Sequence, residues 1–138
     1  MPNSIALIIL ILLIVAAVFV ALQSGIGTKK KTERSRIYSD LESLRQKAST
    51  SSSANNRDLI IRLDALLAKT LQFKYSNSLS CGENLKKAKP LFTKNIYNEL
   101  WKYHKLRNQV VHEGLEISSA EIESAYKTFH KVIYKLLG

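Results

Sequence analysis

The chain has 138 residues, 21 Lys and Arg against 11 Asp and Glu, a net charge of +10 and one cysteine. A single cysteine excludes an intrachain disulfide and agrees with a reducing compartment, with Cys81 as a structural or incidental thiol. The basic balance points to a polyanion or to an anionic membrane surface, and charge alone does not separate the two.

No side chain before Lys29 is charged, and residues 5–22 are an unbroken run of eighteen Ile, Leu, Val, Ala and Phe residues. As a helix rising about 1.5 Å per residue, the run covers roughly 27 Å, close to the hydrocarbon thickness of a bilayer. A cleaved signal peptide is the competing reading. Against it, no Lys or Arg precedes the run, the run exceeds a signal core, and residues 20–24 contain no convincing small-x-small cleavage site. Residues 1–23 are therefore expected to be a retained transmembrane anchor. The basic juxtamembrane segment, residues 24–36, carries Lys29, Lys30, Lys31, Arg34 and Arg36. Flanking positive charge predicts a single-pass protein with its C-terminal domain in the cytoplasm. The same cations suit anionic lipid at about 1 kcal/mol each.

About 115 residues remain beyond the anchor, enough for one compact domain, expected over residues 37–138. Ile37, Leu41 and Leu44 recur at helical spacing within residues 33–48, and the Ser- and Asn-rich residues 49–56 predict a loop. A second helix is expected from about Asn56 towards Tyr75, with Leu59, Ile60, Leu63, Leu66, Leu67 and Leu71 as the centre of the core. Residues 76–82 predict a turn and residues 84–89 a short helix stopped by Pro90. A long helix over about residues 93–112 ends before Gly114, and Ser118 with Glu121 has the capping-box pattern that opens a last helix. Ile122, Ala125, Phe129, Val132, Ile133 and Leu136 form its apolar stripe. No segment alternates at period two, so the expected fold is all-α: a transmembrane helix, then an antiparallel bundle of about four main helices.

On the helix over residues 93–112, Ile96, Leu100, Tyr103, Leu106 and Val110 cluster as the core stripe. A second face collects Tyr97, Trp101, His104, Asn108 and His112, a pattern open to a dimer seam, a binding surface or a wide buried edge. The helix closes on Leu106-Arg107-Asn108-Gln109-Val110-Val111-His112-Glu113-Gly114, with Arg and His separated by four residues. Arg-x4-His is a weak pattern by itself. With Asn after the Arg, Val-Val before the His and a capped helix behind, the segment resembles the HEPN family, over residues 57–137 in helix order and specifically over residues 101–114.

The resemblance implies a small helical bundle that dimerises, and an activity found in many but not all members: metal-independent cleavage of RNA. It assigns Arg107 and His112 as the catalytic pair, with Asn108 as the polar residue after the arginine. The residue types fit that chemistry. Histidine titrates near neutrality and moves the 2′-hydroxyl or leaving-group proton, while a guanidinium offers paired donors to the charge growing on phosphorus. Arg107 and His112 lie roughly 140° apart around one helix, which suits a site completed across a two-fold axis. Tyr97, Trp101, His104 and Lys105 would then line the seam or contact RNA. Lys127, Lys131 and Lys135 form a basic row, either a phosphate-contacting surface or a solvated face.

The expected function is thus a membrane-anchored endoribonuclease acting as a homodimer on RNA, without a cofactor, with an antitoxin or nucleotidyltransferase as a candidate partner. The alternative is a non-catalytic module binding protein or RNA at the membrane. A structural adaptor reading anionic lipid through residues 29–36 is a third class. His112-Glu113 does not begin a zinc-protease motif, because Glu116 stands where the second histidine is required. One cysteine and three scattered histidines show no metal-ligand spacing, so no metal is expected. The five glycines build no phosphate loop.

Overall fold

A computed structural model describes residues 2–48 and 52–138 of the chain; of the loop expected over residues 49–56, residues 49–51 lie outside them, and residues 53–56 are instead the first turn of a helix, opened by the Ser52 cap. The described residues form α1 (Pro2–Ala48), α2 (Ser53–Tyr75), α3 (Cys81–Ala88), a 3-10 turn (Lys89–Leu91), α4 (Lys94–Glu113) and α5 (Ser119–Leu137), with no strand among them. The chain divides into two compact units, one ending at Arg36 and the other Ile37–Gly138.

The first unit is the N-terminal part of α1, a helix long and apolar enough to cross a membrane. Its Leu and Ile side chains are exposed all round, a pattern that matches an apolar solvent rather than a protein core. The helix does not break after the apolar run. It carries on through Gly25 and Gly27, where hydroxyls bond back onto the preceding turn: Ser24 Oγ donates to the Ala21 carbonyl at 2.9 Å, Thr28 Oγ1 to Gly25 at 3.0 Å and Thr32 Oγ1 to Thr28 at 3.0 Å. Glycine weakens a helix by about 1 kcal/mol but does not forbid it as proline does.

In the second unit α2 is the centre. Leu59, Ile60, Leu63, Leu67 and Leu71 are buried among Ile37 and Leu41 of α1, Leu85 of α3, Leu100 and Tyr103 of α4, and Ile122, Phe129 and Ile133 of α5. Polar tethers reveal the helix directions. Asn56 Nδ2 donates to the Ile117 carbonyl at 2.9 Å and Lys74 Nζ to the Leu136 carbonyl at 3.2 Å, so α2 and α5 run parallel. Thr128 donates to Glu99 at 2.9 Å and Tyr103 shares a 2.9 Å bond with Ser124, so α4 runs against α5. Residues 37–48 of α1 run against both central helices. Asp40 pairs with Lys69 at 3.9 Å, the Tyr38 and Tyr134 rings lie 4.8 Å apart, and Tyr126 reaches the Leu41 carbonyl at 3.5 Å. Consecutive long helices therefore alternate in direction, while the packed pair α2 and α5 is parallel because a reversal through α4 separates them.

The helix ends follow side-chain capping. Ser52, Thr93 and Ser118 each accept the backbone N–H three residues on, and Gly114 takes the left-handed conformation at φ 68° that terminates α4. The complete capping box lies at Ser80 and Glu83, not at Ser118: Ser80 Oγ accepts from the Glu83 N–H, and the Glu83 carboxylate accepts from the Ser80 N–H at 2.9 Å. Glu121 instead reaches Lys102 at 3.9 Å. The box starts α3 at Cys81, three residues before the start expected from sequence, and Pro90 falls in the first turn of the 3-10 segment, where its missing N–H costs nothing.

Because Leu41 is 1 % exposed whereas Leu12 is 62 % exposed, the two leucines of one helix should respond differently to truncation. Leu41→Ala should destabilise the domain by about 2–5 kcal/mol, and Leu12→Ala should leave it within about 0.5 kcal/mol. Urea unfolding of the detergent-solubilised chain, followed by Trp101 fluorescence, measures both.

Candidate functional site

Helix α4 turns its core stripe, Leu100, Tyr103, Leu106 and Val110, into the bundle. Its second face is graded. Tyr97, Trp101, His104 and Asn108 are half-buried and His112 is exposed. The rings form an edge-on ladder, Tyr97 to Trp101 at 6.3 Å and Trp101 to His104 at 5.7 Å, which covers the start of α3 at Gly82. Much of this face is therefore a packed edge, and only its last turn stands in solvent.

The ladder leads to a carboxylate that sequence reasoning passed over. Asp64 occupies the leucine-rich face of α2, between Leu63 and Leu67, and its side chain is 5 % exposed. A carboxylate in that position requires partners, since an unpaired buried charge is strongly disfavoured. Asp64 finds them on two other helices. Its Oδ1 is 2.9 Å from Nδ1 of His104 and accepts from the Cys81 thiol at 3.8 Å; its Oδ2 is 3.8 Å from Nε of Arg107. Arg107 also donates through Nη1 to Asn108 Oδ1 at 2.9 Å, while its buried Nε has no hydrogen-bond partner. The guanidinium is thus held at its base by Asp64 and at its tip by Asn108, with the side chain 35 % exposed.

Cys81 is affected by the same carboxylate. Burial first, then the negative charge of Asp64 and the hydrogen bond to it, push the thiol well above its ordinary range, only partly offset by Arg107. A thiol held protonated is a poor nucleophile, so the Asp64, His104 and Cys81 grouping is not a cysteine-protease-like triad.

Of the residues singled out from sequence, the fold brings His104 and Arg107 to Asp64, with Trp101 against the His104 ring and Asn108 on Arg107. His112 lies one turn further on, beyond the cluster's contacts, exposed in the last turn before Gly114. Tyr97 lines an open cleft of about 530 Å³ with Lys89, Phe92 and Lys94. Lys105 and Lys131 are exposed. Lys127 pairs with Glu123 at 2.8 Å and lines a cleft with Arg45, Tyr126 and His130, while Lys135 stands 5.8 Å over the Phe92 ring. Lys29, Lys30 and Lys31 are exposed on the first unit, where Arg36 reaches Glu33 at 4.0 Å. Asp64 did leave a signal in the sequence: with Ile60, Leu67 and Leu71 it shares one helical stripe, and an acid on an apolar stripe calls for a cation or donor. No protein-family model, curated protein or solved structure matches the chain.

The raised Cys81 thiol has a signed consequence for stability. Above the ordinary thiol value of 9.0 the unfolded chain loses this proton while the folded chain keeps it, so stability falls as pH rises through that value. Between pH 8 and pH 10 the wild type should lose more stability than Cys81→Ser, by up to about 1.4 kcal/mol per pH unit above the thiol value. Paired urea titrations at the two pH values test this.

Proposed function

We propose that the chain is a membrane-anchored, HEPN-like endoribonuclease that cleaves RNA without using a metal ion in the chemical step, working as a homodimer with its bundle on the cytoplasmic side. The observation that carries this reading is the mounting of Arg107. Its guanidinium is ion-paired with Asp64 at 3.8 Å and donates to Asn108, yet the side chain stays 35 % exposed, on the same helix as the exposed imidazole of His112. A fixed cation and a solvent-facing imidazole are the two groups that metal-free transesterification needs.

In this reading the Arg107 donors neutralise charge on the pentacoordinate phosphorus, and His112 transfers the proton to or from a ribose or leaving-group oxygen. One helix splays the two groups by roughly 140°, so the working site takes Arg107 and His112 from both copies of α4 across a two-fold axis. Lys105, with the row Lys127, Lys131 and Lys135, supplies non-specific attraction for the phosphate backbone. Lys29, Lys30 and Lys31 hold the segment after the anchor at the anionic leaflet, on the positively flanked, cytoplasmic side. An antitoxin or nucleotidyltransferase would act by covering the seam that carries His112.

A second reading follows from the buried end of the same arginine. Arg107 also neutralises Asp64, so it has a structural reason to be present in a non-catalytic module that binds RNA or protein. His112 has only the structural role of a cation in the last turn of α4, favoured by the helix dipole; it pairs with no buried charge among the described residues and so is the discriminating residue.

The full chain in detergent should cleave a labelled mixed RNA in the presence of EDTA. His112→Ala and Arg107→Ala should each slow cleavage by about 10²–10⁴-fold, with His112→Ala unchanged in circular dichroism. A folded, dimeric wild type that leaves several RNAs intact would establish the binding-module reading instead.

A further inference from the structure

We propose that Asp64, Cys81 and His104 form a three-ligand site for a borderline-soft divalent cation of the zinc class, which staples α2, α3 and α4 together. The ligand atoms converge from three helices: the Asp64 carboxylate, the Cys81 sulfur and a ring nitrogen of His104 all lie within 4.8 Å of one another. Bonds of about 2.0–2.3 Å around a tetrahedral zinc place neighbouring ligand atoms about 3.3–3.8 Å apart. The sulfur stands at that separation from Asp64 Oδ1, at 3.8 Å. The 2.9 Å contact between Asp64 Oδ1 and His104 Nδ1 has only to open by about 0.4 Å. The sulfur and the ring nitrogen, which lie within 4.8 Å of each other, have to close by up to about 1 Å.

The donor set selects the class of ion. Sulfur with imidazole and one carboxylate suits zinc and its neighbours, whereas magnesium and calcium take oxygen ligands almost exclusively. On binding, the Cys81 S–H bond breaks, its proton leaves to solvent, and the thiolate donates an electron pair to the ion. His104 binds as the neutral imidazole through one nitrogen, with its proton on the other. The dication is then cancelled by one thiolate and one carboxylate, so the nearby Arg107 meets a neutral centre. Arg107 stands against Oδ2, leaving Oδ1 to face the sulfur and the imidazole. A ligating carboxylate held by its outer oxygen is the usual arrangement around such centres.

Three protein ligands leave a fourth position, which water fills from the His104 side, where the side chain is 16 % exposed against 5 % for Asp64. The staple benefits α3 most. That helix has eight residues and packs chiefly on α2. The site is independent of the ribonuclease reading, since its evidence is ion content and spectrum rather than cleavage. The hydrogen-bonded cluster keeps the same three helices joined when the ion is chelated.

The test is titration of the tag-free, reduced, metal-stripped full chain in detergent with Co²⁺. We expect one ion per chain, with ligand-field bands of a four-coordinate centre and a sulfur-to-cobalt charge-transfer band, both bleached by Zn²⁺. Cys81 is the only cysteine, so no other thiolate in the chain accounts for that band. Cys81→Ser should abolish it, and Asp64→Asn should weaken binding by more than about tenfold. A folded wild type that shows no sulfur-to-cobalt band overturns the proposal and leaves the cluster a hydrogen-bond network. A band that survives in Cys81→Ser, or Co²⁺ affinity unchanged in Asp64→Asn, overturns it equally.

Discussion

The arrangement of the bundle around α4 depends on one buried negative charge. Asp64 lies on the leucine face of the central helix, where a carboxylate without partners would cost several kcal/mol. Its two oxygens recruit different groups: His104 and Cys81 on one, Arg107 on the other. Those contacts tie α4 and the start of α3 to α2, and the carboxylate adds to the effect of burial in holding the Cys81 thiol protonated.

Arg107 shows how one side chain answers to two demands. Its base compensates Asp64, and its tip, steadied by Asn108, keeps solvent access beside the last turn of α4. Immobilisation of this kind serves anion recognition, because a guanidinium already held in place loses less freedom when it meets a phosphate. His112 stands apart in solvent, so within one chain the two groups do not converge, and the proposed chemistry relies on a second copy to supply the missing half. The aromatic ladder from Tyr97 to His104 is mostly covered and serves the packing of α3 more than any open surface.

The two units place opposite demands on one helix. Among the described residues before Arg36, the apolar side chains of α1 point in every direction and are exposed. After Ile37 the apolar positions narrow to Ile37, Leu41 and Leu44, a stripe one side wide that is buried against α2 and α5. The first pattern suits hydrocarbon, and the second suits water on one side and a core on the other.

What the sequence determined by itself is local. The all-α class, the apolar N-terminal helix, the core stripes and the caps at Ser118 and Gly114 follow from contacts between residues at most four apart, which periodicity and capping chemistry expose. Even here the box at Ser80 and Glu83 was missed, because a Ser-rich turn hides a cap as readily as it shows one. The tertiary structure decided the rest. Only packing made α2 and α5 parallel and joined Asp64, Cys81 and His104, whose first and last members are 40 residues apart. No spacing along the chain encodes that meeting: it arises where three helix faces cross, and those crossings are set by the packing of the buried leucines together with the partners that Asp64 requires.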